Sequence, residues 1–138
     1  MRKQLETIEG IASVQEAAIK MKHNNVSSLV VVDENGKPQG IVSERDLVRK
    51  VCTTDAPAST VKNEEIMSSP LITINSSSSP SQAADMMLQH NVRHLLVVVN
   101  DSVDKPVGMI TPLDFTRYQE YVANEDRDAI EKVLEYYI

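Results

Sequence analysis

Two short segments carry the residue types on which chemistry could rest. Ser43-Glu44-Arg45-Asp46 follows Lys37-Pro38-Gln39-Gly40-Ile41-Val42, and Thr111-Pro112-Leu113-Asp114 follows Lys105-Pro106-Val107-Gly108-Met109-Ile110. Each reads as a turn, a short apolar strand and a hydroxyl residue opening a helix, with a carboxylate three places on. Such an arrangement makes a polar rim: main-chain N–H groups free at a helix start, a hydroxyl, and an acceptor for a ligand's hydroxyls. Two such rims in 138 residues point to a binding module with two related sites.

Other chemistries are poorly served. Gly10, Gly36, Gly40 and Gly108 are spaced for neither a dinucleotide fingerprint nor a phosphate loop. No Ser, His and Asp triad and no acid–base pair is visible, so no residue is assigned a catalytic role and the chain reads as non-enzymatic. Cys52 stands alone, which excludes an intrachain disulfide and a Cys-x-x-Cys knuckle. His90 and His94 have the spacing of a metal pair on one helix face. However, Val92–Val99 reads as the passage from helix to strand, and no metal is expected.

A net charge of −6 opposes nucleic-acid binding by phosphate neutralisation. The four tyrosines lie between Tyr118 and Tyr137 and tryptophan is absent, which leaves the first three quarters of the chain without base-stacking platforms. Apolar residues at 41% and charged residues at 25% are those of an ordinary soluble domain. No run is long enough to cross a bilayer, and Met1-Arg2-Lys3-Gln4 leads into a mixed segment rather than a secretory core. A cytoplasmic protein without a membrane partner is expected.

The elements that position the two rims are themselves duplicated. A shift of 66 places lays Leu5-x-Thr7-Ile8 on Leu71-x-Thr73-Ile74, Ser13 on Ser79, Ala17-Ala18 on Ala83-Ala84, Met21 on Met87, Asn25-Val26 on Asn91-Val92 and Val31-Val32 on Val97-Val98. Two extra residues in the second copy then move the register to 68 for Lys-Pro-x-Gly and the acid. A slip inside a surface turn is where an insertion costs least.

Local signals define each unit. Leu5 to Ile8 and Leu71 to Ile74 read as short strands. Ser13 with Glu16, and Ser79 with Gln82, form capping boxes ahead of helices whose buried stripes hold Val14, Ala17, Ala18 and Met21, and Ala83, Ala84, Met87 and Leu88. Pro80 suits the first helical position. The apolar runs Leu29–Val32 and Leu95–Val99 suit strands buried on both faces. Asp33-Glu34-Asn35-Gly36 signals a hairpin, and the second hairpin loop, Asn100 to Lys105, reads as longer.

Each half is thus β-α-β-β-α, an α/β (α+β) fold whose three strands leave an apolar face for the other half to cover. Residues 1–62 form the first repeat with its linker, 63–122 the second, and 123–138 an additional helix striped by Ile130, Val133, Leu134 and Tyr137. That helix is expected to cover a face left open at the N-terminus or to pack on a second subunit.

A tandem β-α-β-β-α repeat in which each copy ends Gly-apolar-apolar-Ser/Thr-x-x-Asp resembles the CBS-domain family, and two copies resemble a Bateman module. The resemblance covers about residues 5 to 122. It implies repeats packed through their sheets in a pseudo-twofold disc, with two clefts that bind adenosine derivatives such as AMP, ADP, ATP or S-adenosylmethionine. It also implies a regulatory role and a homodimer. Adenine nucleotide would then be a regulatory ligand, with no obligatory cofactor. Since these residues hold no catalytic or membrane segment, the regulated partner is expected to be a separate chain.

By the same resemblance, Asp46 and Asp114 hold ribose, and Ser43 and Thr111 lie beside phosphate. Thr7-Ile8 and Thr73-Ile74 line the adenine slots, to which Ile41 and Met109 contribute. Arg93 and His94 fall with the Asp46 cleft, where Arg45 adds charge, so the phosphorylated ligand is expected to prefer that cleft. Two departures stand out: the first repeat lacks a lead-in segment, and Pro112 removes one N–H from the second helix start. The rival reading is a structural dimerisation module with empty clefts.

Overall fold

The computed structural model describes residues 5–117 and 124–137. The chain divides into two compact units, Leu5–Leu71 and the residues from Ile72 onward. Each contains one three-stranded sheet. In the first unit, β1 (Thr7–Glu9), α1 (Val14–Asn24), β2 (Ser28–Val32), β3 (Pro38–Ser43) and α2 (Glu44–Asp46) follow one another. Beyond α2 the helix widens into a π-type turn over Leu47–Val51, closed by the Cys52 N–H on the Leu47 carbonyl at 3.0 Å. A short helix, α3 (Asn63–Ile66), ends the unit.

The second unit repeats the order with β4 (Thr73–Asn75), α4 (Pro80–His90), β5 (Leu95–Val99) and β6 (Ser102–Ile110), then a 3-10 turn over Pro112–Arg117 and α5 (Asn124–Tyr137). In both sheets the first strand runs parallel to the second, and the second antiparallel to the third. The mixed α and β composition, two tandem repeats and additional helix are those read from the sequence.

Local chemistry explains the matching elements. Ser13 Oγ accepts the Glu16 N–H at 3.1 Å while Glu16 accepts the Ser13 N–H at 3.0 Å. Ser79 and Gln82 repeat the box at 3.2 and 2.9 Å. Both helices end on an asparagine in the left-handed region, Asn25 at φ 52° and Asn91 at φ 53°, a conformation asparagine tolerates well. One helix-side core gathers Val14, Ala17, Met21, Leu29, Val31 and Val42. The other gathers Ala83, Ala84, Met87, Leu95, Val97 and Phe115.

Two expectations are corrected and one is refined. First, contacts carry the first compact unit past Lys62, to Leu71. Asn63 sends its side-chain amide to the carbonyls of Glu9, Ala12 and Ser13 at 3.2, 2.9 and 3.3 Å, and Ile66 joins the first core, so α3 belongs to the first unit. Second, the second hairpin turns tightly on Asn100 and Asp101, both left-handed at φ 52° and 58°. Asn75 braces this turn, donating to Asp101 Oδ1 at 2.6 Å. The additional residues are absorbed as an irregularity between Val98 and Val99, within β6 rather than in a loop. Third, α5 serves its own repeat: Ile130 and Val133 are buried in the second core, with Leu134 and Tyr137 packed against it. Among the described residues, no helix is long and apolar enough to cross a membrane.

Candidate functional site

The hydroxyl–acid motif forms at the end of β3. Leaving the strand, the chain turns at Ser43, which caps α2 from an extended conformation. Asp46 folds back so that Oδ2 accepts the Ser43 N–H at 2.9 Å and the Ser43 hydroxyl at 3.0 Å. Ser43 Oγ in turn accepts the Asp46 N–H at 3.2 Å. The other oxygen, Oδ1, meets Lys50 Nζ at 3.2 Å and the Ser68 hydroxyl at 3.5 Å. The Asp46 side chain is consequently only 12% exposed. Each carboxylate oxygen thus faces one protein hydroxyl, Ser43 on Oδ2 and Ser68 on Oδ1.

The second motif keeps the decisive bond. The Thr111 N–H donates to Asp114 Oδ2 at 2.8 Å, and the Asp114 N–H donates to the Thr111 carbonyl at 3.0 Å. Asp114 is half-buried, more open than Asp46. Pro112 follows Thr111 directly, and the segment tightens into a 3-10 turn.

Two of the main-chain N–H groups expected to be free at these helix starts are taken up in the first copy. Ser27 O accepts the Glu44 N–H at 2.9 Å, and Ser43 Oγ accepts that of Asp46. Arg45 is exposed at the motif, and Lys50 lies against Asp46.

The sheet register sorts the slot residues. Thr7 pairs with Val30, which pairs with Ile41; Thr73 pairs with Leu96, which pairs with Met109. In-register neighbours share a face, so each row presents one strip of side chains on the side of its sheet away from the helix-side core. Ile8 and Ile74 alternate to the opposite face and pack into the cores, Ile74 buried and Ile8 partly so. The expected Thr-Ile pairs are thereby split: Thr7 and Thr73 share a row with Ile41 and Met109, and the isoleucines belong to the interior. Val30 and Leu96 complete the rows, and the alternation along each strand was the signal that could have found them.

Arg93 and His94 lie between α4 and β5. Arg93 does not project freely. Its Nη2 donates to the Tyr137 carbonyl at 3.3 Å, and its guanidinium stands 5.3 Å from the centre of the Tyr137 ring. His90 closes α4 and the left-handed Asn91 follows, so the two histidines do not share a helix face. Among the described residues no group of three or more His, Cys, Asp or Glu is placed to hold a metal ion.

Three side chains in contact with these residues escaped the sequence reading. Lys50 was accessible through its four-residue spacing from Asp46 on a helix. Ser68 and Tyr137 reach their partners over 22 and 44 positions, and no local pattern announces either. A depression of about 520 Å³ in the first unit lies at the other end of its sheet, lined by Glu9, Asp33, Glu34 and Glu64 among others, and does not include the motif.

Comparison with known proteins agrees with this geometry. The family model described as CBS domain matches residues 1–53 and again 64–121. The CBS domain-containing protein YhcV of Bacillus subtilis is 33% identical over 110 residues, which cover 80% of this chain and 75% of that protein. An uncharacterised protein of Methanopyrus kandleri is 32% identical over 120 residues, 87% of this chain, and the match spans only 60% of that relative's length. A CBS domain protein from Pyrobaculum aerophilum, complexed with AMP, superposes with a TM-score of 0.73 at 24% identity, covering 96% of this chain and 95% of that one. The chain belongs to the CBS-domain family and carries two CBS domains in tandem.

Proposed function

We propose that this CBS pair is a regulatory module that binds an adenine nucleotide and passes its state to a partner protein in the cytoplasm. One observation carries the reading: in both repeats a carboxylate is pinned by the main-chain N–H of the motif hydroxyl residue, at 2.9 Å in one and 2.8 Å in the other. An acid held in the same pose twice is suited to gripping a ribose diol twice. The AMP bound by the Pyrobaculum aerophilum relative supports the ligand class.

In this reading Asp46 exchanges the Ser43 and Ser68 hydroxyls for those of ribose, like for like. Asp114 does so from its more open position. Thr7 with Ile41 and Thr73 with Met109 meet the base. Arg45 in the first repeat, and Arg93 with His94 beside it in the second, are the proposed phosphate contacts. Ligand then shifts an equilibrium that the partner distinguishes, to the extent that it binds one state better. Ile19 on α1 and Val48 in the π-type turn, each 60% exposed, offer apolar surface for a homodimer.

The test is a thermal-shift panel of adenosine, AMP, ADP, ATP, S-adenosylmethionine and GTP. A true ligand at 100 times its dissociation constant adds about 2.7 kcal/mol of stability. The enclosure of Asp46 by Lys50 and Ser68 favours a second reading, a dimerisation module whose acids serve only as caps. Silence across the whole panel, with a dimer by light scattering, would establish that reading instead.

A further inference from the structure

Arg93 has two claimants. Its Nη2 donates to the Tyr137 carbonyl, and its guanidinium packs over the Tyr137 ring. The Tyr137 hydroxyl lies within hydrogen-bond distance of the Met87 carbonyl at 3.2 Å and Asn91 Oδ1 at 3.4 Å. The last turn of α5 is therefore fastened to the end of α4 and to the residue that leads into β5. Carbonyls in a helix's last turn lack intrahelical partners and carry the negative end of its dipole. The guanidinium supplies what that end needs.

The Arg93 share of this fastening is weak by its geometry. At 3.3 Å its bond is longer than the usual range of about 2.7–3.2 Å for N–H donors. A phosphate offers the same guanidinium two parallel charge-assisted bonds, a stronger demand than one neutral carbonyl and one ring face. The rest of α5 stays anchored whichever claimant holds Arg93, because Ile130 and Val133 are fully buried.

We propose that Arg93 is a shared latch, for which the phosphate of a bound nucleotide and the last turn of α5 compete. Binding then loosens the end of α5, which keeps the Tyr137 hydroxyl's contacts but loses those of Arg93, together with Tyr136, which is 67% exposed and packs edge-on to Tyr137 at 4.8 Å between ring centres. That turn becomes the signal a partner reads. The inference rests on the preceding reading of Arg93 as a phosphate contact.

The experiment titrates ATP and adenosine by calorimetry into the full chain and into Tyr137→Leu, Arg93→Ala and the double variant. A parallel arm measures amide exchange of the last turn of α5 with and without ATP. Tyr137→Leu should tighten ATP about threefold, the weight of one exposed cation–π contact, and leave adenosine unchanged. It should have no effect on ATP in the Arg93→Ala background. In the unaltered chain ATP should speed exchange in that turn and adenosine should not, an arm that needs no variant to fold.

If Arg93→Ala weakens ATP while Tyr137→Leu leaves it unchanged or weakens it, and exchange does not respond, the latch is wrong and the phosphate contact stands. If Arg93→Ala leaves ATP as tight as in the unaltered chain, the phosphate contact fails and the latch with it. Absence of any binding by either compound overturns both.

Discussion

Asn63 is fully buried, and its side-chain amide nitrogen serves three carbonyls of the loop from Glu9 to Ser13 while its Oδ1 has no partner. Each of those carbonyls keeps a main-chain donor, the Ala12 N–H on Glu9, the Asn63 N–H on Ala12 and the Ala17 N–H on Ser13, so truncation loses the amide's hydrogen bonds without stranding an acceptor, at about 0.5–1.5 kcal/mol for each. Asn63→Ala should therefore lower stability by about 2 kcal/mol, measured as a shift in the urea midpoint at unchanged slope. A shift below a few tenths of a kcal/mol would mean that the loop closes without it. Tyr137 is expected to show itself through pH. Burial, and then the neighbouring Tyr136, raise its hydroxyl above the ordinary value of 10.0, while Arg93 pulls it down less strongly. A raised acid holds its proton longer in the folded chain, so its contribution is complete below the unfolded value. It is lost as pH climbs from there through the folded value. Tyr137→Phe should flatten that alkaline decline in chemical denaturation; an unchanged decline would assign it to other groups. The sequence made the motif acids, their hydroxyl partners and the capping serines readable because each acts over three or four positions. Asn63 and Tyr137 act over more than forty, and nothing in their neighbourhoods marks them.

At the scale of elements, the two helices capped by Ser13 and Ser79 show how far duplication reaches, down to asparagines left-handed within a degree of each other. These signals are local, and so were the helices and strands they bound. The hairpin at Asn100 escaped because left-handed backbone is expected at glycine, whereas Asn100 and Asp101 adopt it with Asn75 bracing them. The placement of α3 escaped for another reason: the linker gives no sign of which core will receive Ile66. One consequence falls on Gly40. The segment after α3 pairs with β3, Ile41 and Ser68 exchanging main-chain bonds at 3.1 and 2.8 Å. A Cβ on Gly40 would stand 2.6 Å from the Ser68 carbonyl oxygen and 2.9 Å from Met67 Sδ. The sulfur can move aside, but the carbonyl belongs to a hydrogen-bonded backbone. Gly40→Ala should therefore destabilise the chain by about 1–3 kcal/mol, the usual range for overpacking. It should also raise amide exchange at Ile41 and Ser68 first. A variant as stable as its parent, with those amides still protected, would show that the segment has room to yield.

At the scale of the molecule, one chemistry is written twice in unequal surroundings. Around Asp46 stand Lys50 and Ser68, with Arg45 exposed beside it; Asp114 takes the Thr111 N–H where the chain tightens after Pro112, and is less buried than Asp46. The cations around Asp46 are expected to make it the tighter site for a phosphorylated ligand, and Asp114 the weaker one. Two binding events per chain are therefore expected when AMP is titrated by calorimetry, with different affinities. A hydrogen bond to a charged group contributes about 1.5–3 kcal/mol, so loss of one diol grip should cost about tenfold or more in affinity. Asp46→Asn should remove the tighter AMP event, and Asp114→Asn the weaker one. Both substitutions also weaken a cap, worth about 1 kcal/mol, so urea midpoints must be measured alongside to confirm that each variant is folded at the titration temperature. The opposite pattern, with the tight AMP event surviving Asp46→Asn and vanishing with Asp114→Asn, would mean that accessibility of the acid outweighs the charge around it, and the two sites would have to be exchanged.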